Sequence, residues 1–292
     1  MPASLIINAD DFGLTRGINR SIIELHQAGV LTSATLMATG NAFDDAIALA
    51  KANPSLGVGC HIVLTDGIPA SAPAEIPTLL GPDRRSFRPS LISFAQALLR
   101  GQIREEEIEL EIRAQIRKVK QAGIAITHVD THKHSHLFPQ VTGPLLRVLQ
   151  NESITAIRNP FEPRFTQQLA HAGFKRRMQI SLLNRFRPSF ESQPQIQRGI
   201  VTTTGGTVGV SATGNLNAIT LTELLVALPE DGAFELVCHP GYNDADLSRI
   251  TTRLREHREI EMQALLSAIP EAVAQPNAPT LIHFGQLQAV PR

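Results

Sequence analysis

Five imidazole or carboxylate side chains crowd the stretch THVDTHKHSHLFP: His128, Asp130, His132, His134 and His136, at strict every-second spacing. Alternate residues of an extended chain share a face. The spacing therefore predicts that all five point one way, with Thr131, Lys133 and Ser135 opposite. Imidazole is the commonest metal ligand and titrates near neutral pH. The tract reads as a divalent-metal site, against the plainer reading of a polar loop.

Further ionisable residues stand at the ends of apolar runs. Asp10 and Asp11 follow residues 4–8, His61 interrupts residues 58–64, Arg158 ends residues 155–158, and His239 follows residues 234–238 and precedes Pro240-Gly241. Each alone has a bland reading: a solvated turn for Asp-Asp, a satisfied core residue for His61, a helix start for His-Pro-Gly. Together they mark one site, because parallel barrels gather their functional residues at the carboxyl ends of several strands.

An aspartate with two histidines suits zinc, and also suits a more open, oxygen-rich magnesium or manganese site. Such a cation lowers the pKa of water and polarises a carbonyl. A free carboxylate beside it can take the proton of water, and an imidazolium can protonate a leaving group. Adjacent aspartates suit that division, one on the cation and one as base. The chemistry is hydrolysis of an amide or ester.

The elements that must carry these residues alternate. Strands are expected at 4–8, 32–37, 58–64, 124–130, 155–158, 199–203, 234–238 and 280–284. Helices are expected from Thr15, a cap, to Gly29, from Asn41 or Phe43 to Asn53-Pro54, and over 104–122, 139–149, 221–228 and 247–268. Weak helical signals occupy 165–171 and 178–186. Helix 104–122 is the clearest: Glu105, Glu106 and Glu107 favour its dipole, and Ile108, Ile112, Ile116 and Val119 form one apolar stripe. The fold class is α/β, a distorted (β/α) barrel of about seven mostly parallel strands. We expect a single catalytic domain over 1–292, with 66–103 and 159–198 as insertions or long loops around the site.

The bulk numbers suit this reading. The 292 residues are 42% hydrophobic and 18% charged, with formal net charge zero and no basic stripe, which argues against nucleic acid as partner. Cys60 and Cys238 form no CxxC pair, so no thiolate zinc site is indicated. No run approaches the ~18 apolar residues of a membrane span. The beginning MPASLIINADDF lacks the basic start and apolar length of a signal peptide. A cytoplasmic location is the expectation, and a homodimer stays open.

NADDFGL, GVLTSATLM, GCHIVLTDG, THVDTHKHSHLFP and VCHPG, in this order and spacing, resemble the YdjC-like carbohydrate deacetylases, which include chitooligosaccharide and hopanoid-biosynthesis-associated deacetylases. The resemblance is strong over 4–160, weak through the middle, and returns around His239. It implies a polysaccharide-deacetylase-like barrel, one divalent metal ion (zinc or magnesium), and hydrolysis of an N-acetyl group from an amino sugar. It further implies Asp11, His61 and His132 as metal ligands, Asp10 as base, His239 as acid and Arg158 as a basic residue near the base. His134, His136 and Phe12 are the candidates for substrate contact. Lys133 and the APAEIP stretch are closer to the hopanoid-associated branch. With no Trp in the chain to stack on sugar rings, a short glycan or glycolipid head is the expected substrate. Two rivals remain at this point: a non-catalytic metal- or sugar-binding barrel, and a metal-dependent sugar isomerase, which would want more carboxylate ligands.

Overall fold

Leu5, Ile6 and Ile7 are buried on both faces of the first strand, the pattern a parallel sheet covered by helices requires. The computed structural model describes residues 3–166, 169 and 174–287. Its elements are β1 (Ser4–Phe12), α1 (Arg16–Gln27), β2 (Ser33–Leu36), α2 (Phe43–Ala52), β3 (Gly57–Ile62), α3 (Leu91–Leu99), α4 (Glu105–Gln121), β4 (Val129–Thr131) and α5 (Pro139–Asn151). They continue with α6 (Phe174–Leu183), α7 (Arg187–Glu191), α8 (Pro194–Gln197), β5 (Thr207–Val208), α9 (Ala218–Val226), β6 (Ala233–Cys238), α10 (Ala245–Ser248), α11 (Glu256–Val273) and β7 (Thr280–Leu281).

The sheet order is β4-β3-β2-β1-β6-β5, and every pair is parallel. β7 pairs with the start of β1, at Ser4 and Leu5, where β2 has not yet joined it. Bridges Val129–Ile157 and Ala156–Thr202, with the Thr207 N–H donating to the Phe161 carbonyl, carry the curl from β4 round towards β5. The result is a curled parallel half-barrel with helices outside it. The strands expected at 155–158 and 199–203 are present only as these bridges.

Local chemistry explains most boundaries. The Thr15 hydroxyl accepts from the Ile18 N–H and starts α1, and Gly29, at φ 73°, ends the turn after it. Ile108, Ile112, Ile116 and Val119 are all buried, so the stripe on α4 packs inward. The neighbouring face of α4 carries Glu107, Glu111 and Gln115, also buried. Gln115 bonds the Val63 backbone, Glu111 accepts from Ala70 and Ser71 N–H, and Glu107 accepts from Thr78 and Leu79 N–H. The long segment after β3 is thereby stitched to α4 at successive helical turns.

Two expectations need correction. The helix expected at 247–268 is two helices, α10 and α11, separated at 249–255. The last strand stops at Leu281, and His283, half-buried, caps a short 3-10 turn instead of continuing the strand. The signal at 165–171 falls largely outside the described residues.

Candidate active site

β1 runs through both aspartates instead of ending before them. Its register against β2 slips between Ala9 and Phe12, and Asp11 adopts a φ of 67°. The left-handed region is costly for most side chains and best tolerated by Asp and Asn. Consecutive strand residues normally face opposite ways. This bulge breaks the rule and lets Asp10 and Asp11 both reach the surroundings of His61.

Asp11, His61 and His132 converge. His61 Nε2 lies 3.3 Å from His132 Nδ1 and 3.8 Å from Asp11 Oδ1, and His132 Nδ1 lies 3.6 Å from that same oxygen. The point equidistant from the corners of that triangle is about 2.1 Å from each, the distance of zinc from imidazole nitrogen and carboxylate oxygen. The other face of His61 is fixed, since its Nδ1–H donates to Asp130 Oδ1 at 2.7 Å. That hydrogen bond turns the Nε2 lone pair towards the triangle, the usual way a carboxylate orients a ligand imidazole. Burial pushes the His132 pKa down to about 4, against the pull of Asp11, so the ring is neutral with a free lone pair. Burial also opposes charge on His61, but Asp130, Asp10 and Asp11 prevail and raise its pKa to about 9. The proton it then holds is what a cation in the triangle would displace. A second cluster, Asp10, His61 and Asp130, is already filled by Arg158 and by hydrogen bonds.

Arg158 is the hub beside it, fully buried among three carboxyl groups. It grips Asp10 with both terminal nitrogens, 2.6 and 2.9 Å, and reaches Asp130 Oδ2 and Glu235 Oε1 at 2.6 Å each. Burial would raise the Asp10 pKa, yet Arg158, with His61 and His239, holds it well below the usual carboxylate range. Burial raises Glu235 to about 7, Arg158 notwithstanding, because one guanidinium cannot neutralise three carboxylates. Asp11 is likewise held down by Arg258, against burial. Four carboxyl groups thus face two guanidinium groups, and a divalent cation would offset the remaining negative charge.

His239 follows β6 with its Nε2 3.7 Å from Asp10 Oδ2 and its Nδ1 3.9 Å from a Glu261 oxygen. His132 and His239 retain side-chain exposures of 23% and 12%, which places the open side of the site between them. At its rim Lys133 pairs with Asp66.

The expectation of five side chains on one face fails after Thr131. β4 ends there, and residues 132–137 form a 3-10 turn in which Lys133 and His134 both take left-handed φ values, 56° and 51°. The turn separates the tract into different tasks. His128 is buried, bonds Asn8 Oδ1 and stacks on Phe284. Asp130 orients His61, and His132 joins the triangle. His134 is half-buried, and its Nδ1 has no hydrogen-bond partner among the described residues. His136 is fully buried with both ring nitrogens engaged, by Thr131 Oγ1 and the Arg158 carbonyl. Phe12 is fully buried in the core. Neither His136 nor Phe12 has surface to offer a substrate.

Three contributors were not anticipated. Glu235 is a charge in the middle of an apolar strand, a signal in its own right. Arg258 and Glu261 lie on α11 at the same spacing as buried Met262, Leu265 and Ile269, so their place on the apolar stripe marked them. Arg258 donates to Asp11 Oδ2 at 2.6 Å, and Glu261 accepts the His239 N–H at 2.6 Å.

The fold is of the α/β class, a curled parallel half-barrel whose strand ends bring Asp11, His61 and His132 to where they could hold a metal ion. Comparison places it more closely: the model of the family described as YdjC-like protein matches residues 4–275, and the chain belongs to that family. A carbohydrate deacetylase of Halalkalibacterium halodurans is 30% identical over 86% of this chain and 92% of its own. A carbohydrate deacetylase of Brevibacillus brevis is 42% identical, over 54% of this chain and 59% of its own. The crystal structure of an Enterococcus faecalis V583 protein, described as a cellobiose-phosphate cleavage protein, superimposes with a TM-score of 0.76 over 97% of this chain and 98% of that one, at 24% identity. That likeness bears on the fold. Among the described residues no helix is long and apolar enough to cross a membrane.

Proposed function

We propose that the chain is a metal-dependent carbohydrate N-deacetylase, which removes an acetyl group from the nitrogen of an amino sugar in a short glycan or glycolipid head. The observation that carries this is the triangle of Asp11, His61 and His132, with buried Asp10 and the partly exposed His239 beside it. The carbohydrate deacetylases among its relatives support the substrate class.

When bound, the cation supplies Lewis acidity towards the carbonyl and water oxygens. Two imidazole donors suit a zinc-like ion better than magnesium, which prefers oxygen. Asp10 is kept ionised by Arg158 and so is ready to take a proton. Its Oδ1 accepts from Arg158, Asn8 and Thr35, whereas Oδ2 accepts from Arg158 alone, at 2.9 Å, and faces His239. Oδ2 is therefore the atom that accepts the proton of the attacking water. His239 Nε2 gives a proton to the departing nitrogen as the C–N bond breaks. The products are acetate and a free amine. Lys133 and His134 at the rim are the groups left to meet the sugar.

The test is acetate release from N-acetylated mono- and disaccharides and glycolipids, by protein stripped of metal and then reloaded with zinc, cobalt or magnesium. Release restored by a stoichiometric transition metal supports the reading. Sugar binding without release under every loading would make the chain a binding protein instead.

A further inference from the structure

Arg258 lies 247 residues from Asp11 in sequence and touches it in the fold. It is 1% exposed. Its guanidinium makes three contacts: Nη2 to Asp11 Oδ2 at 2.6 Å, Nε to the Leu254 carbonyl at 3.1 Å, and Nη1 to the His239 carbonyl at 3.5 Å. The Asp11 carboxylate is thereby divided. Oδ1 is a corner of the ligand triangle and Oδ2 belongs to Arg258.

That division has a consequence for coordination. A carboxylate with two free oxygens can bind a cation through both and fill an extra position. A hydrolytic centre needs its remaining positions for water and the substrate carbonyl. Asp11 is also held at a strained φ of 67°, so its orientation depends on an outside contact. The same guanidinium reaches the end of β6, where His239 begins, and so fixes the distance between ligand and proton donor.

We infer that Arg258 is a positioning residue which locks Asp11 into one-oxygen coordination and ties that ligand to the His239 segment. This rests on the metal site proposed above. Arg258 touches neither the cation site nor the substrate, and acts through Asp11.

Cobalt loading tests it, because the visible absorption of cobalt weakens as its coordination number rises. The wild-type protein is expected to bind one cobalt and show the stronger spectrum of a low-coordinate ion. Arg258→Gln is expected to weaken that spectrum, lose roughly 10–100-fold in metal affinity by chelator competition, and lose kcat with KM near normal. Arg258→Lys keeps the buried charge and hence the fold, but one point donor cannot keep all three contacts. It should show the same changes in smaller measure. Wild-type spectrum and affinity in Arg258→Gln overturn the inference, as they do in Arg258→Lys should that be the only variant to fold. Failure of the wild-type protein itself to take up cobalt would defeat the metal site, and with it this role.

Discussion

Asp10 and Asp11 are chain neighbours with opposite attachments. Asp10 is gripped by Arg158 and faces His239, whereas Asp11 is gripped by Arg258 and faces His61 and His132. We expect Asp10→Asn to keep its metal affinity and lose turnover by roughly 10²–10⁴, the range for an acid–base group. Metal titration beside steady-state kinetics checks this, and near-normal turnover would remove Asp10 from the mechanism. We expect His239→Gln to lose kcat with little change in KM, since its ring faces Asp10 across the open side of the site. A rise in KM alone would make His239 a substrate contact and not a proton donor.

At the scale of elements, the barrel interior leaves no slack beside the site. A Cβ on Gly59 of β3 would lie 2.5 Å from His128 Cε1. That ring cannot retreat, because it stacks on Phe284 with centroids 3.8 Å apart and bonds Asn8. Gly59→Ala is expected to destabilise the fold by about 1–3 kcal/mol, the usual cost of overpacking, with a loss of site geometry on the adjoining His61. Denaturant midpoints should show it. An unchanged midpoint would mean that β3 and β4 can part without cost. The ladder of Glu107, Glu111 and Gln115 matters at the same scale. It ties the long segment bearing Asp66 down beside the site, since the Val63, Ser71 and Thr78 N–H groups along it donate to buried acceptors on α4.

Across the whole molecule, the buried charge around Arg158 links stability to pH. Glu235 has its pKa raised by burial from 4.5 to about 7. Between those values the folded protein holds a proton that the unfolded chain has released. The group's contribution is therefore fully present below pH 4.5 and lost as pH rises through about 7. At about 1.4 kcal/mol per unit, the total change across the interval is of the order of 3 kcal/mol. Glu235→Gln keeps an acceptor for Arg158 but cannot titrate. Its melting temperature should fall less than that of the wild type between pH 5 and 7.5. Parallel curves for the two proteins would show that Glu235 is ionised throughout.

The sequence by itself determined what is local. Strand–helix alternation, the Thr15 cap, the α4 stripe and the candidates at strand ends could all be read from spacing, because backbone periodicity and hydrogen bonding act over a few residues. It did not determine the turn at 132–137. An every-second pattern describes an extended chain only as long as the chain stays extended, and left-handed Lys133 and His134 end that. Nor did it determine that α11 begins only at Glu256, that β1 bulges at Asp11, or that Arg258 faces Asp11 and Glu235 faces Arg158. A charged residue on an apolar stripe is buried only if an opposite charge waits for it. That partner is supplied by another strand, 247 residues away for Arg258 and 77 for Arg158 with Glu235. The tertiary structure decides such pairings because the free energy of burying a charge depends on where its counter-charge ends up.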